Sequence, residues 1–248
     1  MLEVQRARDW FVQGRDLGSG TIPLVDFQTH TAWSDGAASV GEMIAAAEAQ
    51  GLAAIAFTEH VNAGSAWYPS FVEDVTSQRR ARAVQVHIGA EIAAADYHGR
   101  LKADPAVLGA ELVLGVVHRF PSASGDSFWA FNELTAEDAV ELEIRALLGL
   151  TRNRRIDVLG HPGGTSFTKY GPFPIGWLED VFAAARDRDI AVELNSKYVW
   201  DLDGTINLLR RTDPLVSFGS DAHSTREVGA HIGRLKAHFA REAPALTS

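Results

Sequence analysis

The chain has 248 residues, 46% hydrophobic and 22% charged, which suits one large globular domain or two small ones. It has no cysteine, so thiolate metal sites and thiol redox chemistry are excluded, and any metal must be held by His, Asp, Glu or an amide oxygen. The formal charge of -9 argues against a broad basic surface for duplex nucleic acid. With no apolar leader and no run approaching about 20 apolar residues, the sequence reads as soluble and cytoplasmic.

Residues 1–22 read as an N-terminal arm anchored by Trp10, Phe11 and Val12, and residues 23–248 as one domain. Pro23 to His30 is the first strand of that domain. Ser39 and Glu42 form a capping box for a helix whose apolar residues Val40, Met43, Ile44 and Ala47 recur at helical spacing until Gly51. Leu52 to Thr58 is a strand, Trp67 to Ala83 a helix, and Val84 to Ala90 a strand. An irregular connection follows, then a strand from Glu111 to Val117 and a Ser/Gly/Phe-rich loop from Pro121 to Phe131. A helix from Thr135 to Gly149 precedes a short strand, Ile156 to Gly160, and residues 165–175, with Pro172 and Pro174, read as a long loop. Trp177 to Arg188 is a helix, Ile190 to Leu194 a strand, Thr205 to Arg211 a short helix and Pro214 to Gly219 the last strand. Ser224 and Glu227 make a second capping box, read as opening a helix that runs to Phe239. Seven strand–helix units imply a parallel sheet with right-handed crossovers, favouring a closed barrel over an open doubly wound sheet.

The polar residues that interrupt these strands follow a pattern. His30, His60, Glu91, His118, His161, and Asp221 with His223 each lie at or just beyond the carboxyl end of a strand, and Asp35 lies on the loop after the first. In a parallel barrel all those ends share one face, where active sites form. Clustered carboxylates and imidazoles are costly to bury unpaired, so the cluster points to bound metal. Its N and O donors suit zinc, manganese or iron, and eight donors exceed the need of one tetrahedral ion, implying two or three. Such ions clamp and polarise an anionic ester and activate water at neutral pH, and phosphoester hydrolysis uses this most directly.

The stretches Asp26-Phe27-Gln28-Thr29-His30-Thr31 with Ser34-Asp35-Gly36, Phe57-Thr58-Glu59-His60, Gly89-Ala90-Glu91, Gly115-Val116-Val117-His118, Gly160-His161-Pro162 and Ser220-Asp221-Ala222-His223 resemble the polymerase and histidinol phosphatase (PHP) family from about residue 23 to 240. The resemblance implies an α/β fold, a distorted seven-stranded (β/α)7 TIM-like barrel, and hydrolysis of phosphoesters with up to three metal ions. It implies one ion on His30, Glu91 and Asp221, a second on Glu91, His118 and His161, and a third on Asp35, His60 and His223. Asp221 and His223 are the implied catalytic residues, Asp221 as proton acceptor for the attacking water. The chain departs from the family pattern at Gln28, which stands where the first His of a His-x-His pair is expected. We expect Gln28 to line the mouth without tightly ligating a metal.

Arg119 and Lys197 are candidate phosphate-binding cations and Lys169 a weaker one, while Asn195 sits at a strand end where it can orient substrate. Trp33, Trp67 and Trp129 either shape a pocket or anchor loops. His87 alternates with apolar residues and reads as packed, His98 sits in a turn within reach of the mouth, and His231 and His238 read as surface residues. The function expected is hydrolysis of a small phosphorylated molecule such as histidinol phosphate, a nucleotide or a sugar phosphate. A nuclease trimming DNA ends and a non-catalytic metal-binding scaffold are the competing readings.

Overall fold

The computed structural model describes residues 5–20, 22–80, 82–122, 127–195 and 197–242. Positions 1–4 of the arm, 123–126 of the Phe-rich loop, Ser196 and the tail from 243 lie outside the described residues. Within them the chain forms one curled eight-stranded sheet with seven α-helices. The strands are β1 (Val12–Gln13), β2 (Val25–Thr29), β3 (Ala54–His60), β4 (Gln85–Ala93), β5 (Leu112–Val116), β6 (Val158–Leu159), β7 (Ala191–Asn195) and β8 (Leu215–Gly219). β2 to β8 pair in parallel in chain order, and β1 pairs antiparallel with β8. The eighth strand therefore comes from the N-terminal segment read as an arm.

The sheet curls far enough that its first and last parallel strands meet at one end. Thr29 and Ala222 form a parallel bridge, and the His30 N–H donates to the Ala222 carbonyl at 2.8 Å. Toward the other end β8 has a different neighbour: Val12 pairs with Val216, and Gly14 N–H bonds the Pro214 carbonyl. The arm is thus wedged beside β8 where β2 has moved away. Phe11 packs edge-on against Phe27, and Phe27 against His87, which is buried.

The helices are α1 (Val40–Ala49), α2 (Tyr68–Gln78), α3 (Ala136–Leu150), α4 (Gly164–Tyr170), α5 (Glu179–Asp187), α6 (Leu202–Thr212) and α7 (Ala230–Glu242). The Ser39–Glu42 box caps α1, and Thr135 with Asp138 caps α3. Three expectations need correction. Residues 164–170 are helical because the Glu143 carboxylate of α3 accepts from the Thr165 and Ser166 N–H groups, a cap supplied by a distant part of the chain. Glu227 bonds the His223 N–H and the Ser224 hydroxyl instead of opening a helix, and α7 begins only after Gly229, whose φ of 73° ends that turn. His231 and His238 are buried on the inner side of α7: His231 Nε2 donates to the Val25 carbonyl of β2, and His238 Nδ1 lies 2.9 Å from Asp203 of α6. Among the described residues no helix is long and apolar enough to cross a membrane.

Candidate metal centre

All eight side chains singled out at the strand ends gather at the end where β2 meets β8. Glu91, at 1% exposure near the end of β4, is the hub. Its Oε1 lies 2.9 Å from His161 Nε2, 3.1 Å from His118 Nε2 and 3.2 Å from Gln28 Nε2. Its Oε2 lies 2.9 Å from His60 Nδ1 and 3.3 Å from His30 Nε2. The His30 ring is sandwiched between His60 and His223, each 4.4 Å away. Asp35 closes the outer side, 3.3 Å from both His60 Nε2 and His223 Nε2. Asp221 Oδ1 lies 3.1 Å from His30 Nε2, and its Oδ2 accepts from Lys197 Nζ and the Tyr198 hydroxyl.

Protonation follows from this crowding. Burial pushes the Glu91 carboxyl up, but His118, His161 and His60 hold it well below the carboxylate range. Burial pushes Asp221 up as well, and His30 and His161 hold it down. Burial pushes His60 and His161 down, but Glu91 outweighs it and holds both at about 9. Burial lifts Glu193, beneath the cluster, to about 8.

The donors fit divalent metal. Both His30 ring nitrogens and Glu91 Oε2 are buried without a hydrogen-bond partner, although several polar atoms lie close by. Donor atoms fall into two groups, His30, Asp35, His60 and His223, and His60, Glu91 and His118, each group within 4.8 Å. Asp35, His60 and His223 share the first group and Glu91 and His118 the second, while His30 also lies within 3.3 Å of Glu91 and Asp221. His223 Nδ1 contacts the Asp221 backbone carbonyl at 2.9 Å. A carbonyl only accepts, so Nδ1 carries a proton, and Nε2 is the ring nitrogen that faces the cluster, 3.3 Å from Asp35.

Two carboxylates not assigned a role from sequence hold the loops that carry these donors. Asp26 accepts from the Ser220 N–H, the Ser220 hydroxyl and the Gly229 N–H, fixing the segment of Asp221 and His223. Glu59 accepts from the Thr31 N–H and from the Thr31 and Ser34 hydroxyls, fixing the turn of Asp35. A side chain at Gly36 would place its Cβ 2.4 Å from the His30 carbonyl oxygen, so this turn requires glycine. The signal in the sequence was a carboxylate inside each apolar strand. His161 and Asp221 have φ of 28° and 55°, strained for residues with a side chain. The His161 N–H is pinned by Glu193 Oε2 at 2.6 Å.

A cavity of about 410 Å³ opens over the cluster, lined by Asp35, His60, Glu91, His118, His161, Asp221 and His223 together with Lys102, Lys197 and Tyr198. Gln28 does not line it, contrary to expectation: it is fully buried beneath the ligands. Its orientation can be traced from an unambiguous donor. The Lys197 backbone N–H donates to Asn195 Oδ1, so Asn195 Nδ2 donates to Gln28 Oε1, and Gln28 turns its NH2 group toward Glu91. Arg119 is exposed and lies over Phe128 and Phe131 instead of in the cavity. His98 is exposed and does not line the cavity either. Trp33 bonds Asp74 and stacks on Trp67, so these two anchor loops.

A model of the PHP domain matches residues 26–197, most of the chain and all the strands from β2 to β7. The chain belongs to the PHP domain family. It is 26% identical over 198 residues to a protein named "Probable phosphatase" from Caldicellulosiruptor bescii, covering 76% of this chain and 74% of that one. Its fold is like that of a histidinol phosphate phosphatase from Lactococcus lactis solved with zinc, L-histidinol and phosphate: TM-score 0.64, 18% identity, 87% of this chain and 93% of that one. A structure from Listeria monocytogenes superposes with TM-score 0.66 at 15% identity, covering 85% of this chain and 99% of that one. These similarities set the PHP fold of the chain.

Proposed function

We propose that this PHP protein is a metal-dependent phosphoesterase that hydrolyses a phosphoester of a small molecule. The observation that carries the reading is the Glu91 hub: a buried carboxylate ringed by imidazoles, with unpaired buried donor atoms, beneath an open cavity. We read the curled sheet as a distorted (β/α)7 barrel whose mouth is this cavity, with the arm as an added edge. Two or three zinc, manganese or iron ions would be held by His30, Asp35, His60, Glu91, His118, His161, Asp221 and His223. Bound there, they would polarise the phosphoryl group and lower the pKa of a water.

The chain's own groups supply the rest. Lys197 Nζ and the Tyr198 hydroxyl hold Asp221 by Oδ2, leaving Oδ1 turned toward the cluster as proton acceptor for the attacking water. Lys197, itself on the cavity wall, is placed to share its charge with a bound phosphate. His223, held through Nδ1 by the Asp221 carbonyl, presents Nε2 to the cluster. Histidinol phosphate, a nucleotide and a sugar phosphate are the candidate substrates, the first because the Lactococcus structure holds L-histidinol and phosphate.

Manganese- or zinc-loaded protein should release phosphate from a panel of phosphomonoesters, with His223→Ala abolishing turnover. Failure to hydrolyse any monoester or diester would overturn the proposal. A scaffold role would show instead as a lower melting temperature in His223→Ala with no turnover to lose.

A further inference from the structure

Away from the ligands, a cation on the cavity wall, Lys102, and an exposed one outside it, Arg119, lie near one aromatic ring, that of Phe128. Lys102 follows β4 and lines the cavity. Its ammonium sits 4.3 Å from the centre of the Phe128 ring. Arg119 follows His118 directly and lies over the same ring at 6.0 Å. Among the described residues neither cation has a carboxylate partner. Lys197, the other cavity cation, is already committed to Asp221 at 3.1 Å.

Two neighbouring cations with no carboxylate partner among the described residues favour something anionic between them. Burial, and then the charge of Arg119, push the Lys102 ammonium below its ordinary value. The Phe128 face keeps both heads in place by cation–π attraction and supplies a wall of low polarity, which strengthens any ion pair formed against it. Backbone bonds fix the support, the Lys102 N–H donating to the Ala93 carbonyl at 2.9 Å and its carbonyl accepting from Ala63 at 2.9 Å.

We infer that Lys102 and Arg119 form a second anion subsite, and that the substrate carries a second anionic group, phosphate or carboxylate, besides the phosphoester that is cleaved. The inference rests on the phosphoesterase reading and narrows it. A phosphorylated amino alcohol would bring a cation toward Lys102 and is disfavoured, whereas a bisphosphate or a phosphorylated acid is favoured.

A matched series tests this: propyl phosphate, 3-aminopropyl phosphate, 3-(phosphonooxy)propanoate and propane-1,3-diyl bisphosphate, with manganese-loaded protein. We expect kcat/KM for the two compounds with an anionic terminus to exceed that for propyl phosphate by at least about tenfold, the size of one charge-assisted contact. The amine should fall below propyl phosphate. Lys102→Met and, separately, Arg119→Met should bring the ratio of bisphosphate to propyl phosphate close to one, through KM more than kcat. A wild-type ratio near one, a preference for the amine, or equal loss of kcat on all the compounds would overturn the subsite. If nothing is turned over, the phosphoesterase reading falls, and calorimetry with propane-1,3-bisphosphonate against propylphosphonate decides the subsite alone. Tighter binding of the bisphosphonate that Lys102→Met removes sustains it, and equal binding of the two overturns it.

Discussion

The two ends of the parallel strands are built on opposite terms. At the carboxyl end, Glu91, Asp221 and the imidazoles crowd together with buried atoms left unpaired, on a backbone strained at His161 and Asp221. At the other end the arm adds β1 to β8, and Phe11, Phe27 and His87 pack edge to face. One end gathers carboxylates and imidazoles around an open cavity; the other packs aromatic surface, with His87 Nε2 and Trp10 Nε1 buried beside it without a partner. Substitutions at the first should therefore change metal content and rate, and those at the second should change stability.

The largest effect should come from Glu91→Gln, which keeps the shape and removes the charge at the hub. We expect turnover to fall by at least about 100-fold, beyond the 10–100-fold typical of residues that only support ligands. Metal content measured by mass spectrometry should drop with it; full metal content and near-native rate would break the contrast between the ends. Next come Asp26→Asn and Glu59→Gln, which touch loops and not ions. Each should weaken metal affinity or rate roughly 10–100-fold, and metal titration would reveal a purely structural role as a lower melting temperature at unchanged affinity.

At the sealed end Phe11→Ala should cost roughly 1–3 kcal/mol, less than the 3–5 of a fully buried phenylalanine. That corresponds to a fall of a few degrees in melting temperature for a chain this size, with kcat and KM as in the wild type. A loss of activity at constant stability would show that the arm acts on the mouth. The smallest effect concerns His87, whose pKa is pushed down by burial, with Glu111 opposing and Arg79 assisting. Below about pH 6.5, the usual histidine value, the unfolded chain takes a proton that folded His87 refuses, so stability is lost as the pH falls. His87→Leu should shrink the drop in melting temperature between neutral and mildly acid pH, as read by a thermal melt across a buffer series.

The donors were legible because each is a polar residue at the end of an apolar strand, a local pattern that repeats along the chain. Parallel order followed from the alternation of strands and helices. What escaped was decided by distant partners. α4 needs Glu143 from another helix, β1 needs the exposed flank of β8, and the burial of His231 needs the Val25 carbonyl. Asp26 and Glu59 stood in the motifs, but their role depends on loops that return to them from far along the chain or from across the sheet.

The chain of amides beneath the cluster has a direction. It starts at the Lys197 backbone N–H, passes through Asn195 and Gln28, and ends at Glu91. Every link is a donor handing to an acceptor, so the polarity at one end dictates the atom shown at the other. Residue 195 thereby selects which face of Gln28 is turned toward Glu91. An aspartate there, able only to accept, would reverse the Gln28 amide and present its carbonyl oxygen to the cluster. The amide of residue 28 would then offer an oxygen through a change made one hydrogen bond away from it.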